Sequence, residues 1–111
     1  MSTQLRKGVL EICVLAMINI KDMYGYEVVD SISRVMEVKE STIYPLLRRL
    51  TSDGYFESYI RKSEEGPDRK YYKITNEGKE SLKNQVKEWD RFVYDVNYIL
   101  ESYRKEYRGN E

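Results

Sequence analysis

The 111 residues predict a mainly α protein with a small β-hairpin and one long, coiled-coil-like helix at the C-terminal end. Three observations carry that expectation. Apolar residues recur at helical spacing through residues 5–50, and two strand-like runs flank a Gly-Pro-Asp turn at 66–68. From Leu82 to Tyr107 the apolar and aromatic positions then settle into a heptad rhythm.

The first segment, Leu5 to Ile18, is apolar on more than one face (Leu5, Val9, Leu10, Ile12, Cys13, Val14, Leu15, Met17, Ile18), which suits a helix buried on several sides. A break follows at Lys21-Asp22-Met23-Tyr24-Gly25. The spacing predicts a second helix over Tyr26 to Met36, with Val28, Val29, Ile32, Val35 and Met36 on one face. In the third helix Ser41 or Thr42 is expected to cap the N-terminus, and Pro45 to sit where first-turn amides lack intrahelical partners. Ile43, Leu46, Leu47 and Leu50 form its apolar stripe, with Arg48 and Arg49 off it. Asp53-Gly54 closes the helix, glycine accepting the left-handed C′ conformation. The runs YFESYIR (55–61) and RKYYKIT (69–75) read as a hairpin, and KSEEGPD between them as its long, charged tip.

From about Asn76 the period changes. Leu82, Val86, Trp89, Val93, Val96 and Leu100, continued by Tyr103 and Tyr107, alternate in steps of four and three, an a/d seam. Such a helix is about 50 Å long at a rise of roughly 1.5 Å per residue, too long for a domain of this size to cover. The seam predicts a partner, most simply a second copy of the chain. The expected division is residues 1–75 as one domain and 76–111 as a dimerisation helix. Tyr94, Tyr98, Tyr103 and Tyr107 are expected to line that helix.

Composition removes most other functions. There is no histidine, and the one cysteine, Cys13, allows neither an internal disulfide nor a cysteine-based zinc site. Triads and HExxH metal sites are excluded with the histidine. No carboxylate pair is marked out by spacing, so no catalytic residues, metal or cofactor are expected, and the chain reads as a non-enzyme. Cys13 reads as an inert core residue. No stretch approaches a transmembrane span and no secretory leader is recognisable, which makes the cytoplasm the default compartment and a membrane partner unexpected. The 19 basic and 19 acidic residues balance, so a nucleic-acid surface must be a local patch.

The element order helix, helix, helix, hairpin, long helix is that of a winged helix-turn-helix, whose third helix enters the major groove while the wing reaches the flanking backbone or minor groove. The chemistry fits locally. Lys39, Ser41, Thr42 and Tyr44 lie at the start of the third helix and Arg48 on its exposed face, suited to phosphates and duplex DNA. Arg61, Lys62, Arg69, Lys70 and Lys73 charge the hairpin, against Glu64, Glu65 and Asp68.

The motifs G-Y-E (25–27), S-T-I-Y-P-L-L-R-R-L (41–50), D-G-Y (53–55), G-P-D-R-K-Y-Y-K-I-T (66–75) and N-E-G (76–78) resemble the PadR family of bacterial transcriptional regulators, across about residues 5–80. The single C-terminal helix resembles the family's short branch. The resemblance implies a dimeric winged-helix repressor that leaves an inverted-repeat operator when a small molecule binds. It implies that Thr42 and Tyr44 face DNA phosphates and that Arg69 and Lys70 are wing cations. It also matches Trp89 to a tryptophan that stacks on flat aromatic drugs between subunits. Leu5, Val9, Ile12 and Cys13 of the first helix are the expected neighbours of that space. The plain alternative for Trp89 is dimer core; for Tyr71, Tyr72 and Ile74 it is strand packing. The competing function is a winged-helix protein-interaction module that does not bind DNA.

Overall fold

The computed structural model describes the backbone of residues 3–109 and the side chains of residues 8–108. Seven elements follow in order: α1 (Thr3–Ile20), β1 (Met23–Tyr24), α2 (Gly25–Ser33), α3 (Glu40–Ser52), β2 (Phe56–Arg61), β3 (Arg69–Ile74) and α4 (Asn76–Gly109). The sheet is antiparallel, ordered β1-β3-β2. With α1–α3 it makes a winged helix, from which the 34-residue α4 extends. The long axis is 62 Å.

The core follows the apolar spacing. Val14 and Leu15 of α1, Val28 and Ile32 of α2, and Ile43, Leu47 and Leu50 of α3 close over Phe56, Tyr72 and Ile74 of the sheet. Among the described residues no buried side-chain polar atom lacks a hydrogen bond. Cys13 is partly buried against this core, where burial pushes its thiol up from the ordinary value. That environment disfavours the reactive thiolate.

Helix α3 ends as its sequence requires. Gly54 has φ +85°, a left-handed conformation that side chains disfavour. The Gly54 amide donates to the Thr51 carbonyl at 3.0 Å and the Tyr55 amide to the Leu50 carbonyl at 2.9 Å, the paired bonds of a Schellman turn. Thr75 then joins this turn to α4. Its hydroxyl donates to the Gly54 carbonyl at 2.6 Å and accepts from the Gly78 amide at 3.0 Å.

Three local expectations are corrected. Helix α2 stops at Ser33, because the amides of Val35 and Met36 both turn back to the Ile32 carbonyl at 2.9 Å. Val35 is therefore 77 % exposed and Met36 lies outside the core; apolar spacing ran on past the helix end. Helix α3 begins earlier than expected. Its N-cap is Lys39, without a side-chain bond, while the Lys39 carbonyl accepts from the Thr42 and Ile43 amides. Ser41 and Thr42 thus lie inside the first turn, and Pro45 falls in the second, where it denies the Ser41 carbonyl an amide partner. Finally, the break at residues 21–25 contains a third strand. Two residues are too few to show alternation, and their pairing with β3 is remote in sequence.

Candidate nucleic-acid interface

Along α3, Lys39, Ser41 and Arg48 are exposed, whereas Thr42 and Tyr44 are half-buried. Thr42 borders a cleft of about 280 Å³ between α1 and α3, with Leu10, Pro45, Leu46 and Arg49. Tyr44 lays its ring against Gly25 in the first turn of α2, so closely that any side chain at position 25 meets the ring. Burial pushes the Tyr44 phenol up, and the Glu40 charge adds to the shift. The group is thus held as a neutral hydroxyl able to donate a hydrogen bond.

The two arginines of α3 separate in role. Arg49 is paired with Glu11 of α1 at 2.6 Å and approaches Asp53 at 3.5 Å. Arg48 has no ion-pair partner among the described residues. Its charge is felt at Tyr72, on the sheet's inner face. Burial pushes the Tyr72 phenol up, the Tyr44 hydroxyl adds to this, and the Arg48 charge opposes it. Lys70 Nζ lies 5.8 Å from the centre of the same Tyr72 ring. Tyr72 and its surroundings therefore bring a cation from α3 and a cation from the wing to one place.

Strand alternation puts Tyr59 and Arg61 of β2 and Arg69 and Tyr71 of β3 on the opposite, outer face. There Tyr24, Tyr71 and Tyr59 form a row across β1, β3 and β2, in direct register. Ring centres are 5.5 Å apart for Tyr24–Tyr71 and 5.7 Å for the stacked Tyr59–Tyr71 pair. Tyr59 donates to Asp22 Oδ2 at 2.7 Å, and this bond, then burial, pushes its phenol up. Arg61 covers the Tyr71 ring at 4.3 Å and Arg69 covers Tyr24 at 4.6 Å. The charge of the hairpin and the family resemblance pointed to Arg69 and Lys70 but not to the tyrosine row or Asp22. The row depends on β1, and no local pattern announces it. Tyr72 and Ile74 are buried strand packing, as expected, while Tyr71 is half-exposed.

At the other end of the domain, α1 and α4 enclose an open cleft of about 400 Å³ whose lining includes Gly8, Ile12, Gln85, Glu88, Trp89 and Phe92. The Trp89 and Phe92 rings are 6.4 Å apart and tilted. Of the expected α1 neighbours, Ile12 lines this cleft and Cys13 packs against the core; the Leu5 side chain lies outside the described residues. On the seam Leu82 packs against the core and Trp89 and Val93 are half-buried, while Val86, Val96 and Leu100 are exposed. Among the described residues no acidic, cysteine or histidine cluster suits a metal ion, and no helix is long and apolar enough to cross a membrane.

Comparison with known proteins matches residues 14–84 to the transcriptional regulator PadR-like family. An uncharacterized protein from Lysinibacillus sphaericus is 39% identical over 99 residues, spanning 86% of this chain and 91% of that protein. The crystal structure of a PadR-like transcriptional regulator from Bacillus cereus is similar with a TM-score of 0.80 and 38% identity, covering 88% of this chain and 97% of that one. The crystal structure of Bacillus subtilis PadR in complex with operator DNA shares the fold, with a TM-score of 0.64 at 24% identity over 70% of this chain and 46% of that one.

Proposed function

The chain belongs to the PadR-like family of transcriptional regulators, and from that premise we propose that it is a homodimeric, DNA-binding repressor of an inverted-repeat operator, released by a small planar aromatic ligand. The observation that carries the DNA reading is the meeting of Arg48 and Lys70 at Tyr72, which makes α3 and the wing one cationic face despite a net charge of zero. The DNA-bound relative of the same fold supports it. In this reading Arg48 enters the major groove. Lys39, Ser41, Thr42 and the neutral Tyr44 hydroxyl hold phosphates at the helix start, and Arg69 and Lys70 hold the flanking backbone.

The rest of the proposal rests on α4. Residues 1–75 bind DNA and 76–111 dimerise, through Leu82, Val86, Trp89, Val93, Val96 and Leu100. Val86, Val96 and Leu100 of that seam are 37%, 37% and 38% exposed in the protomer, as half of an interface would be. A two-fold dimer presents two α3 helices to half-sites roughly 34 Å apart on duplex DNA. Trp89 and Phe92 in the open α1–α4 cleft offer aromatic faces to a flat ligand, for which stacking needs no fixed hydrogen bonds. Such a repressor works in the cytoplasm, beside its DNA.

The test is an electrophoretic shift on DNA from upstream of the protein's own gene at two salt concentrations, with Trp89 fluorescence followed as planar aromatic compounds are added. A discrete, salt-sensitive complex supports the repressor, and quenching that also frees the DNA supports the sensor. A second reading, a protein-interaction module, draws on Tyr94 and Tyr98, which are exposed on a side of α4 that the seam does not use. It predicts no shift even at low salt.

A further inference from the structure

The wing carries an arrangement that strand pairing alone disfavours. Arg61 and Arg69 are direct cross-strand partners, the last pair of the sheet before the loop at 62–68. Like charges so opposed are destabilising. Among the described residues neither guanidinium has a carboxylate partner, although Glu64, Glu65 and Asp68 lie in the loop beside them. Each is instead laid over a different tyrosine ring, Arg61 on Tyr71 and Arg69 on Tyr24.

The tyrosines are themselves fixed. Tyr24, Tyr71 and Tyr59 are in register on three strands, and the Tyr59–Asp22 hydrogen bond ties the β2 edge back to the β1 edge. A planar guanidinium on such a ring has one face covered and its N–H edges free, and a lysine ammonium lacks that plane. Two guanidinium groups held on rings whose centres are 5.5 Å apart suit the two non-bridging oxygens of a backbone phosphodiester, which share one negative charge. The charge repulsion between them is relieved when an anion enters.

We infer that the Tyr24–Tyr71–Tyr59 row is a positioning platform that presents Arg61 and Arg69 together to the phosphate backbone of duplex DNA. Arg61 thereby joins the interface, and Tyr71 and Tyr24 act through the arginines they hold. The inference rests on the DNA-binding reading above, and adds to it that the wing's phosphate contact is organised by the outer face of the sheet. It separates the wing's two consecutive cations: Lys70 shares the inner face with Arg48, and Arg69 belongs to the platform.

Two measurements test it. In the free protein, NMR of the arginine side chains should show ring-current-shifted Nε–Hε signals for Arg61 and Arg69. Tyr71→Leu should abolish the shift of Arg61, and Tyr24→Leu that of Arg69. Fluorescence anisotropy on a labelled mixed-sequence DNA duplex over a range of salt then reads the contacts, because each lost phosphate contact lowers the log–log salt slope by about 0.9. Arg61→Gln and Tyr71→Leu are each expected to lower the slope by about that amount and affinity roughly threefold to tenfold at moderate salt. Tyr71→Phe, which keeps the ring, should restore both. Arg61→Lys, at an exposed position, should keep the charge but lose part of the slope, because an ammonium lacks the plane that lies on the ring. Unchanged slopes in Arg61→Gln and Tyr71→Leu, with a reduced slope in Arg48→Gln, would overturn the platform and leave the DNA reading standing. Failure of the wild-type protein to bind the duplex at low salt would overturn both.

Discussion

In the winged domain Val14, Leu15, Ile43, Leu47 and Leu50 are enclosed completely by their own chain, whereas on α4 the comparably apolar Val96 and Leu100 remain 37% and 38% exposed. Both sets follow a regular helical spacing, so periodicity does not distinguish them. Geometry does. Three short helices can wrap around a three-stranded sheet, but a 34-residue helix outruns anything the domain can lay against it. Only its first half is covered, from Gly78, buried against the Tyr55 carbonyl, through Leu82 at the core to the half-buried Trp89 and Val93 beside α1. The core of the domain is closed within one protomer, while the outer part of α4 leaves its apolar seam exposed.

The strongest way to break this contrast is to charge the exposed seam. In Leu100→Asp the core of the winged domain is untouched, yet a dimer through the seam must bury two carboxylates. We expect the dimerisation constant to fall on the order of a thousandfold, about 4 kcal/mol, by sedimentation equilibrium. Far-UV circular dichroism of the winged domain should persist. A stable dimer would mean that α4 pairs along another face. The converse substitution, Leu47→Ala, removes a fully buried side chain and should cost about 2–5 kcal/mol in denaturant unfolding, at any protein concentration.

Gly25→Ala sharpens the domain side of the comparison. The new methyl meets the Tyr44 ring, so we expect about 1–3 kcal/mol of destabilisation from overpacking. On the proposed DNA-binding reading, affinity should fall with it, because Tyr44 must leave the position from which that reading has its hydroxyl hold a phosphate. Alkaline titration probes the same packing. The phenols of Tyr44 and Tyr72 are pushed up mainly by burial, and that of Tyr59 by its bond to Asp22. Raised values mean that the fold favours the neutral form. Their stabilisation is complete below the ordinary phenol value of about 10 and is lost as pH rises through the higher folded values. NMR of ring-labelled tyrosine should find these three phenolates forming above that point, and Tyr59→Phe should remove the part due to Asp22.

Element types, the hairpin and the long seam were legible in the sequence because each rests on local spacing and turn chemistry. Asp53-Gly54 ended its helix as glycine geometry demands. What escaped reading was set by contacts between distant segments. Strand β1 exists because β3 is there to pair with it, and the tyrosine row exists because β1 does. Arg48 and Arg49, adjacent and equivalent in composition, were separated only by where Glu11 falls on α1. The end of α2 was misjudged for a related reason: apolar spacing records which face a helix would bury, and carries no signal for where the chain must turn into α3.

The smallest expected effect bears on how the two regions communicate. Glu11 lies on α1 between Gly8 and Ile12, which line the Trp89 cleft, and its partner Arg49 lies on α3. The pair is half-exposed, so Glu11→Gln should cost no more than roughly 0.2–1 kcal/mol of stability. Its effect on DNA binding has the opposite sign. Released from Glu11, Arg49 keeps only its longer approach to Asp53, and the salt slope should steepen by about 0.9 if it then reaches a phosphate. A steeper slope would make the α1–α3 pair a restraint on the recognition helix, adjustable from the cleft wall by small movements of α1. An unchanged slope would show that α3 itself turns Arg49 away from DNA, with Asp53 as its remaining partner.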